Sequence, residues 1–541
     1  MALHFADCWE QIADRIPDKP AIQQGDRTLS WRDYEDRAAR LSARFAEHDL
    51  AQGRNVGMFL YNCPEYLETQ FAAFKQGTTP VNVNYRYLED ELLYLLDNAD
   101  ITALVYHASL GDRVAAIRDR LPGLEVLIEV DDRGRDDVGD VDRVKGALAY
   151  EDVIASHDPA PRKARDLDDI YMLYTGGTTG MPKGVMYRMG EFTKAWLEFA
   201  AGNLGLEVWT TPEGLADWVE GQAEAGALSR TCPGPPLMHG TGVWLGAMMP
   251  HLTGSCVVLL ESRKLSPAEI VSAAEEGLAM LVIVGDAFAK PIVAYLDGQR
   301  DAGSPADLSG LAVVLSSGAM LSAETKEALL DHAPHLIIID ALGSSEGSMG
   351  SRISVGKGSG TTAKFEMTPG SKVFDEMDQE VEPGSGVVGR VAATGTFLPV
   401  GYYKDPEKSA ATFRTIDGVR YSFPGDMATV DADGTINFLG RGSQVINTGG
   451  EKVFVEEVEE AIKTHPAVVD CLVFGVDDDR FGQTVAGVAS VEGAGVDPDA
   501  IIAHCKEKLA PYKAPRQLAI VDDVPRAPNG KADYKTAKTL L

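Results

Sequence analysis

Apolar, β-rich runs alternate with segments whose apolar residues recur at helical spacing through most of the chain. In residues 31–48, Tyr34, Ala38, Leu41 and Phe45 share one helical face, and NVGMFLY (55–61) after it reads as a buried strand. Residues 64–77 read as a helix stopped by Gly77, and TPVNV (79–83) as the next strand. ELLYLLDNADITALVYH repeats helix then strand, and SCVVLL (255–260), LAMLVIV (278–284), LAVVLSS (311–317) and LIIID (336–340) extend the series. Apolar runs separated by amphipathic helices predict a mainly parallel sheet covered by helices, because a parallel sheet is buried on both faces.

The texture changes after about residue 365. Short strands broken by Gly, Pro and Asp up to about 440 predict antiparallel β structure. Residues 441–541 carry a separate α+β pattern: the helix VEEVEEAIKTHP, the strand VVDCLVFGV and the helix PDAIIAHCKEKLAPY. The expectation is an α/β chain of two domains, 1–440 and 441–541, joined near Gly440–Gln444. Residues 203–229, with two Trp among many Gly and Ala, read as a surface insertion, and SMGSRISVGKGSG (348–360) reads as loop.

Composition narrows the partners. The 541 residues are too many for one ordinary core. The chain has 50 Lys and Arg against 81 Asp and Glu, a net charge of −31, which excludes general attraction to nucleic acid or anionic membrane. The six cysteines are scattered without CxxC pairs and predict reduced thiols in a cytoplasmic protein. The acidic N-terminus lacks a signal-like apolar stretch, and the longest apolar runs are too short to cross a bilayer, so no integral membrane contact is expected. A homodimer is left open.

The strongest chemical signal is Tyr174-Thr175-Gly176-Gly177-Thr178-Thr179-Gly180-Met181-Pro182-Lys183-Gly184, entered from the apolar stretch IYMLY. Its glycines let the backbone turn tightly and expose N–H groups, its threonines add hydroxyl donors, and Lys183 adds a cation suited to a phosphate. It lacks the Walker A spacing.

This string resembles the signature of the adenylate-forming superfamily of acyl-CoA synthetases, luciferases and adenylation domains, and the resemblance extends over nearly the whole chain. It implies a large N-terminal domain of βαβ-type subdomains plus a distorted β-barrel, then a small mobile C-terminal domain. Pro236-Leu237-Met238-His239-Gly240-Thr241-Gly242 resembles the segment whose His lines the acyl pocket, and the nearby Trp244 could close an acyl tunnel or be a plain core residue. Ser317-Gly318-Ala319-Met320 is similar to the adenine-stacking turn. Asp340-Ala341-Leu342-Gly343-Ser344-Ser345-Glu346 resembles the segment in which Asp340 would reach the adenine amino group and Glu346 would hold Mg²⁺. Leu342 stands where an aromatic ring usually stacks on the base. Asp426 is in the ribose-loop position, and Arg441 in the pair that ends the large domain. Gly449 and Gly450 fall in the loop that lines the pantetheine tunnel, and Gln444 replaces the polar hinge residue. Lys531 follows Pro525-Arg526-Ala527-Pro528-Asn529-Gly530 in the loop that delivers the adenylation lysine.

The resemblance thus implies an enzyme using ATP, Mg²⁺ and coenzyme A on a small-molecule carboxylic acid. The texture looks most like bacterial fatty-acyl and steroid side-chain ligases, so the acid expected is hydrophobic, medium or long-chain or sterol-derived. Two other readings stand beside it. An acyl-AMP ligase or amino-acid adenylation enzyme would pass the acyl group to a carrier protein. A serine hydrolase would use Ser345 within Gly343–Gly347, but it leaves the phosphate loop and Lys531 unexplained. Gly384–Gly389 fits G-x-G-x-x-G, but no helix follows it, which excludes a dinucleotide site.

Overall fold

Helix ends lie where the sequence supplies caps. Trp31–Glu47 starts at Ser30, whose Oγ accepts from the Asp33 N–H at 3.1 Å while the Asp33 carboxylate accepts from the Ser30 N–H, a reciprocal capping box. Pro64–Gln76 has proline in its first turn and stops at Gly77, which adopts φ +74°, a left-handed conformation that a side chain would strain. The computed structural model describes residues 3–48, 50, 53–177, 180–448, 451–478, 481–493, 495–527 and 530–541.

These elements build three main sheets. The first has eight strands. Ile170–Gly177, Thr79–Asn82, Asn55–Phe59, Ile101–His107, Val126–Val130 and Leu148–Ala149 run parallel, and Gly180–Arg188 folds back antiparallel on Ile170–Gly177. The second has thirteen strands. Its parallel centre is Ile337–Ser344, Val313–Ser317, Met280–Ile283, Arg230–Pro233, Cys256–Leu259 and Pro20–Gln24. The antiparallel strands expected after residue 365 continue this sheet, through Gly347–Val355 and Lys364–Met367 to Ile436–Arg441 and Asp426–Val430. A five-stranded sheet is built wholly from strands between Ile446 and Ile520.

Two local expectations are corrected. Residues 347–355 form a strand, because the edge of Ile337–Ser344 needs backbone partners and short Ser and Gly side chains permit close pairing. Within 203–229, the helix Pro212–Glu224 buries Leu215, Ala216 and Val219 completely and packs on the helix Phe5–Arg15. The segment therefore belongs to the main core, with Arg15 and Asp217 paired at 2.7 Å on its rim.

All six cysteines are free and buried. Burial pushes the thiols up, to about 12 for Cys232 and about 11 for Cys256 and Cys505. Among the described residues no helix is long and apolar enough to cross a membrane.

Candidate active site

The glycine- and threonine-rich string lies at the tip of the hairpin formed by Ile170–Gly177 and Gly180–Arg188. Thr175 pairs with Lys183, and Gly177 with Gly180, so Gly176 bulges out of register between them; Thr178 and Thr179 lie outside the described residues. The Lys183 ammonium sits 3.4 Å from Asp405 and 5.5 Å from the centre of the Tyr402 ring. The Tyr402 hydroxyl donates to Glu346 at 2.8 Å. Tyr402 thereby ties the cation of the glycine- and threonine-rich hairpin to the carboxylate 163 positions further on, an arrangement no spacing in the sequence foretells.

Glu346 occupies the turn between Ile337–Ser344 and Gly347–Val355, where its N–H donates to Ser344 Oγ at 3.1 Å. The Tyr187 hydroxyl donates to the Ser345 carbonyl. On the strand below, Asp340 is 3% exposed and paired with Lys326 at 2.9 Å, and Lys326 also donates to the Thr361 carbonyl. Burial raises the Asp340 carboxyl to about 6, although the Lys326 charge opposes the shift. The sequence reading named Asp340 and missed Lys326, which lies on the helix Ala323–His332. Leu342 packs against the cluster around Phe365 and Val391. Ser317 Oγ donates to the Ala341 carbonyl at 3.0 Å, joining the 317–320 turn to the 340–346 segment. Gly318 adopts φ +91°, Ala319 is half-buried, and the Met320 carbonyl accepts from the Asp286 N–H at 2.9 Å. Gly343 lies where Ile337–Ser344 shifts register against its neighbour.

His239 precedes a π-helix, Thr241–Met248, a form frequent at functional sites. Gly242 and Gly246 let that helix lie directly on Pro233 and Pro236, where any Cβ would collide. The His239 Nε2 atom is covered and has no hydrogen-bond partner among the described residues. Burial, helped by the charge of Lys531, lowers the imidazole to about 3, so it is neutral at physiological pH. Gly240 packs on Trp244, whose indole N–H donates to the Tyr171 hydroxyl at 2.9 Å within an aromatic cluster.

The remaining charges converge from the other side. Asp426 and Arg441 are cross-strand partners, with Arg441 Nε 3.5 Å from Asp426 Oδ1. Asp426 is buried, and its Oδ2 atom has no hydrogen-bond partner among the described residues. Lys531, an exposed residue, lies within electrostatic reach of Arg441, Glu346 and Asp426. Desolvation by the surrounding protein and then Arg441 push its ammonium down, while the two carboxylates oppose them. Gly530 beside it rests on Ala287 and Phe288, and Lys290 donates to the Val469 carbonyl at 2.5 Å. The loop that carries Lys531 is thus held against the large sheets. Gly449 and Gly450 lie outside the described residues.

Glu456 grips the strand end at this junction. Its carboxylate accepts from the Arg441 N–H at 3.3 Å and covers Gly440, whose φ of +106° and lack of Cβ make room for it. One carboxylate oxygen, Oε2, is covered and has no partner among the described residues. Burial raises Glu456 to about 8, with Glu459 and Asp426 adding to the rise and the Arg441 N–H opposing it; Tyr534 lies within reach. A carboxyl raised in the docked arrangement stabilises that arrangement fully below its free value. The contribution is lost as pH climbs from about 4.5 through about 8. Hydrogen exchange of the 441–448 segment is therefore expected to quicken over that interval in the wild type. Taken as protection relative to the intrinsic base-catalysed rate at each pH, exchange should stay flat in Glu456→Gln, and an equal loss of protection in both would refute the assignment.

A cavity of about 440 Å³ opens beside these groups, at the carboxyl ends of parallel strands from both large sheets. Arg27, Arg86, Arg135, Arg263, Lys264 and Arg526 line it. Arg263 lies 3.9 Å over the Tyr61 ring, and Arg86 and Lys264 have no carboxylate partner among the described residues. Glu65, Asp131, Asp132 and Glu261 line it as well, so six cations face four carboxylates in a chain of net charge −31. The sequence reading missed it because its members come from segments far apart. Among the described residues no group of three or more His, Cys, Asp or Glu side chains could enclose a metal ion.

Comparison with known proteins gives a consistent set. A family profile described as AMP-binding enzyme matches residues 9–403, and its C-terminal domain profile matches residues 457–531. The 3-oxocholest-4-en-26-oate–CoA ligase of Rhodococcus rhodochrous is 39% identical over 99% of this chain and 96% of its own length. A medium/long-chain-fatty-acid–CoA and 3-oxocholest-4-en-26-oate–CoA ligase of Mycolicibacterium smegmatis is 39% identical over 100% of this chain and 97% of its own length. Among solved structures, the anthranilate CoA ligase AuaEII in complex with anthranoyl-AMP superposes with a TM-score of 0.83 at 22% identity, covering 100% of this chain and 98% of that one.

Proposed function

Because the chain belongs to the AMP-binding enzyme family, we propose that it joins a hydrophobic carboxylic acid, medium or long-chain or sterol-derived, to coenzyme A through an acyl-AMP intermediate, releasing AMP and pyrophosphate. The observation that carries this reading is the convergence of Lys531, Glu346, Asp426 and Arg441, from distant parts of the chain, beside neutral His239.

In the first half-reaction a carboxylate oxygen of the acid attacks the α-phosphorus of ATP, and pyrophosphate leaves. Lys531 fits the role of holding the acid and the α-phosphate together, and Lys183 and the hairpin tip fit the departing phosphates. Asp426, with its uncovered need for a donor, suits the ribose hydroxyls. Glu346 fits Mg²⁺, because that ion commonly takes one or two carboxylates and completes its shell with phosphate oxygens and water. Its chemistry there is to neutralise charge on the phosphates. Neutral His239 can approach a carboxylate without adding charge, through a nitrogen that otherwise lacks a partner.

In the second half-reaction the thiol sulfur of coenzyme A attacks the acyl carbon, and AMP departs. Residues 441–541, proposed as the second domain, turn about the Gly440–Gln444 junction between the steps, taking Lys531 away. The cation-lined cavity supports coenzyme A over a carrier protein as the acceptor, since unpaired Arg86 and Lys264 suit phosphate groups. Six buried thiols fit a reducing, cytoplasmic setting.

A pyrophosphate-release screen of the purified protein against a panel of acids, with and without coenzyme A, tests the whole reading. Release with a hydrophobic acid, followed by thioester only when coenzyme A is added, is the expected result. Absence of release with every acid would refute it.

A further inference from the structure

The strand Thr79–Asn82 stops short of its neighbour. It pairs with Ile170–Gly177 at Val81 and Met172, and the neighbour runs on through Tyr174 into the glycine- and threonine-rich hairpin. The Asn82 side chain takes over from there. Its Oδ1 accepts from the Tyr174 N–H at 2.7 Å, and its Nδ2 donates to the Tyr174 carbonyl at 2.8 Å. A side-chain amide thus stands in for the next peptide group of the strand and satisfies both backbone groups of Tyr174.

The other N–H of the same amide reaches a different segment. It donates to the Met238 carbonyl at 2.7 Å, 156 positions further along the chain. Pro233, Pro235 and Pro236 withhold N–H groups from that segment, so side chains help to hold it. Asn62, beyond the strand Asn55–Phe59, accepts from the Leu237 N–H at 2.7 Å. Asn82 itself is 5% exposed, which leaves water little room to replace its bonds. Its partners fix the orientation of the amide, since one is a donor and two are acceptors.

Both segments carry candidate site residues. Tyr174 is the cross-strand partner of Gly184, next to Lys183. A Cβ on Gly184 would lie 2.7 Å from the Tyr174 ring, and the Tyr174 hydroxyl donates to Asn98 at 2.6 Å, so the hairpin is entered from a fixed residue. Met238 immediately precedes His239, whose own N–H donates to the Pro236 carbonyl at 3.1 Å. One amide therefore sets how far the cation suited to the departing phosphates lies from the imidazole suited to the acid.

We propose, resting on the acyl-CoA ligase reading, that Asn82 is a positioning residue for adenylation: it holds the hairpin of Lys183 and the segment of His239 at the separation that lines up the acid carboxylate with the α-phosphorus of ATP. Alignment of this kind governs rate more than binding, because a shift of about 1 Å costs about 10²-fold in reactivity while the substrates keep their other contacts.

The test uses the full-length protein with ATP, coenzyme A and dodecanoate, and reads the two half-reactions separately. Asn82→Leu keeps the size of the side chain and removes all three bonds. It is expected to slow pyrophosphate release by about 10²-fold. KM for ATP and for dodecanoate should stay within about threefold of wild type, and so should thioester formation from supplied dodecanoyl-AMP. The ratio of the two half-reactions in one preparation does not depend on how much of it is folded. Asn82→Asp, which keeps the acceptor for the Tyr174 N–H, should shift that ratio in the same direction by a smaller factor. Lys183→Ala should cost less in Asn82→Leu than in wild type, because the hairpin it acts from is already displaced. A ratio that Asn82→Leu leaves at the wild-type value, or strictly additive effects of the two substitutions, overturns the assignment. Absence of pyrophosphate release by the wild type with every acid overturns the ligase reading, and this assignment falls with it.

Discussion

Lys531→Ala is expected to slow pyrophosphate release by about 10²- to 10³-fold, while thioester formation from supplied acyl-AMP stays within a few-fold of wild type. The residue keeps an exposed surface, and its ammonium lies within electrostatic reach of Arg441, Glu346, Asp426 and His239. In the proposed role the cation acts on charge that develops between the acid and the α-phosphate and has no such charge to act on once the adenylate exists. The two carboxylates favour the ammonium, and desolvation by the surrounding protein together with Arg441 disfavours it. Lys531→Arg should not restore the rate, because a guanidinium is broader and the pocket already contains one. Equal loss of both half-reactions would sink the assignment.

The second large effect is on stability. Lys326→Ala is expected to cost about 3–5 kcal/mol, because it leaves Asp340 charged, buried and unpaired. It also removes the donor to the Thr361 carbonyl. The penalty should grow with pH. Asp340 already sits at about 6 with its partner present, so without it the carboxyl stays protonated further up the scale; the loss is smallest in acid and largest once the group must ionise. Thermal melts of Lys326→Ala and of Lys326→Met with Asp340→Asn, between pH 5 and pH 8, check this. The double variant should recover much of the loss and show little pH dependence. A single variant as stable as wild type at pH 8 would show that the pair contributes nothing.

The parallel sheets were legible because buried strands leave uninterrupted apolar runs, as in Ile101–His107, where every residue is buried. The segment 347–355 was not, since glycine and serine carry no strand pattern and only the neighbouring strand makes them extended. Pro212–Glu224 was misread for a related reason: its apolar face is narrow, and only the helix Phe5–Arg15 shows what it covers. At the candidate site, motif-bearing residues were readable one by one. Their neighbours were not: Tyr402, Lys326, Glu456 and Arg86 act through contacts between segments far apart in sequence. A motif records which groups must be present, whereas burial and charge pairing decide what state each is in.

The six cysteines, placed deep in apolar surroundings with their thiols hard to ionise, give the protein a silent background for chemical labelling. Maleimide reagents need a thiolate and an open approach, and the native chain offers neither while folded. A single cysteine introduced at an exposed position on each side of residue 441 could then carry a dye pair, with no native thiol removed, and the proposed turning of residues 441–541 could be tested turnover by turnover.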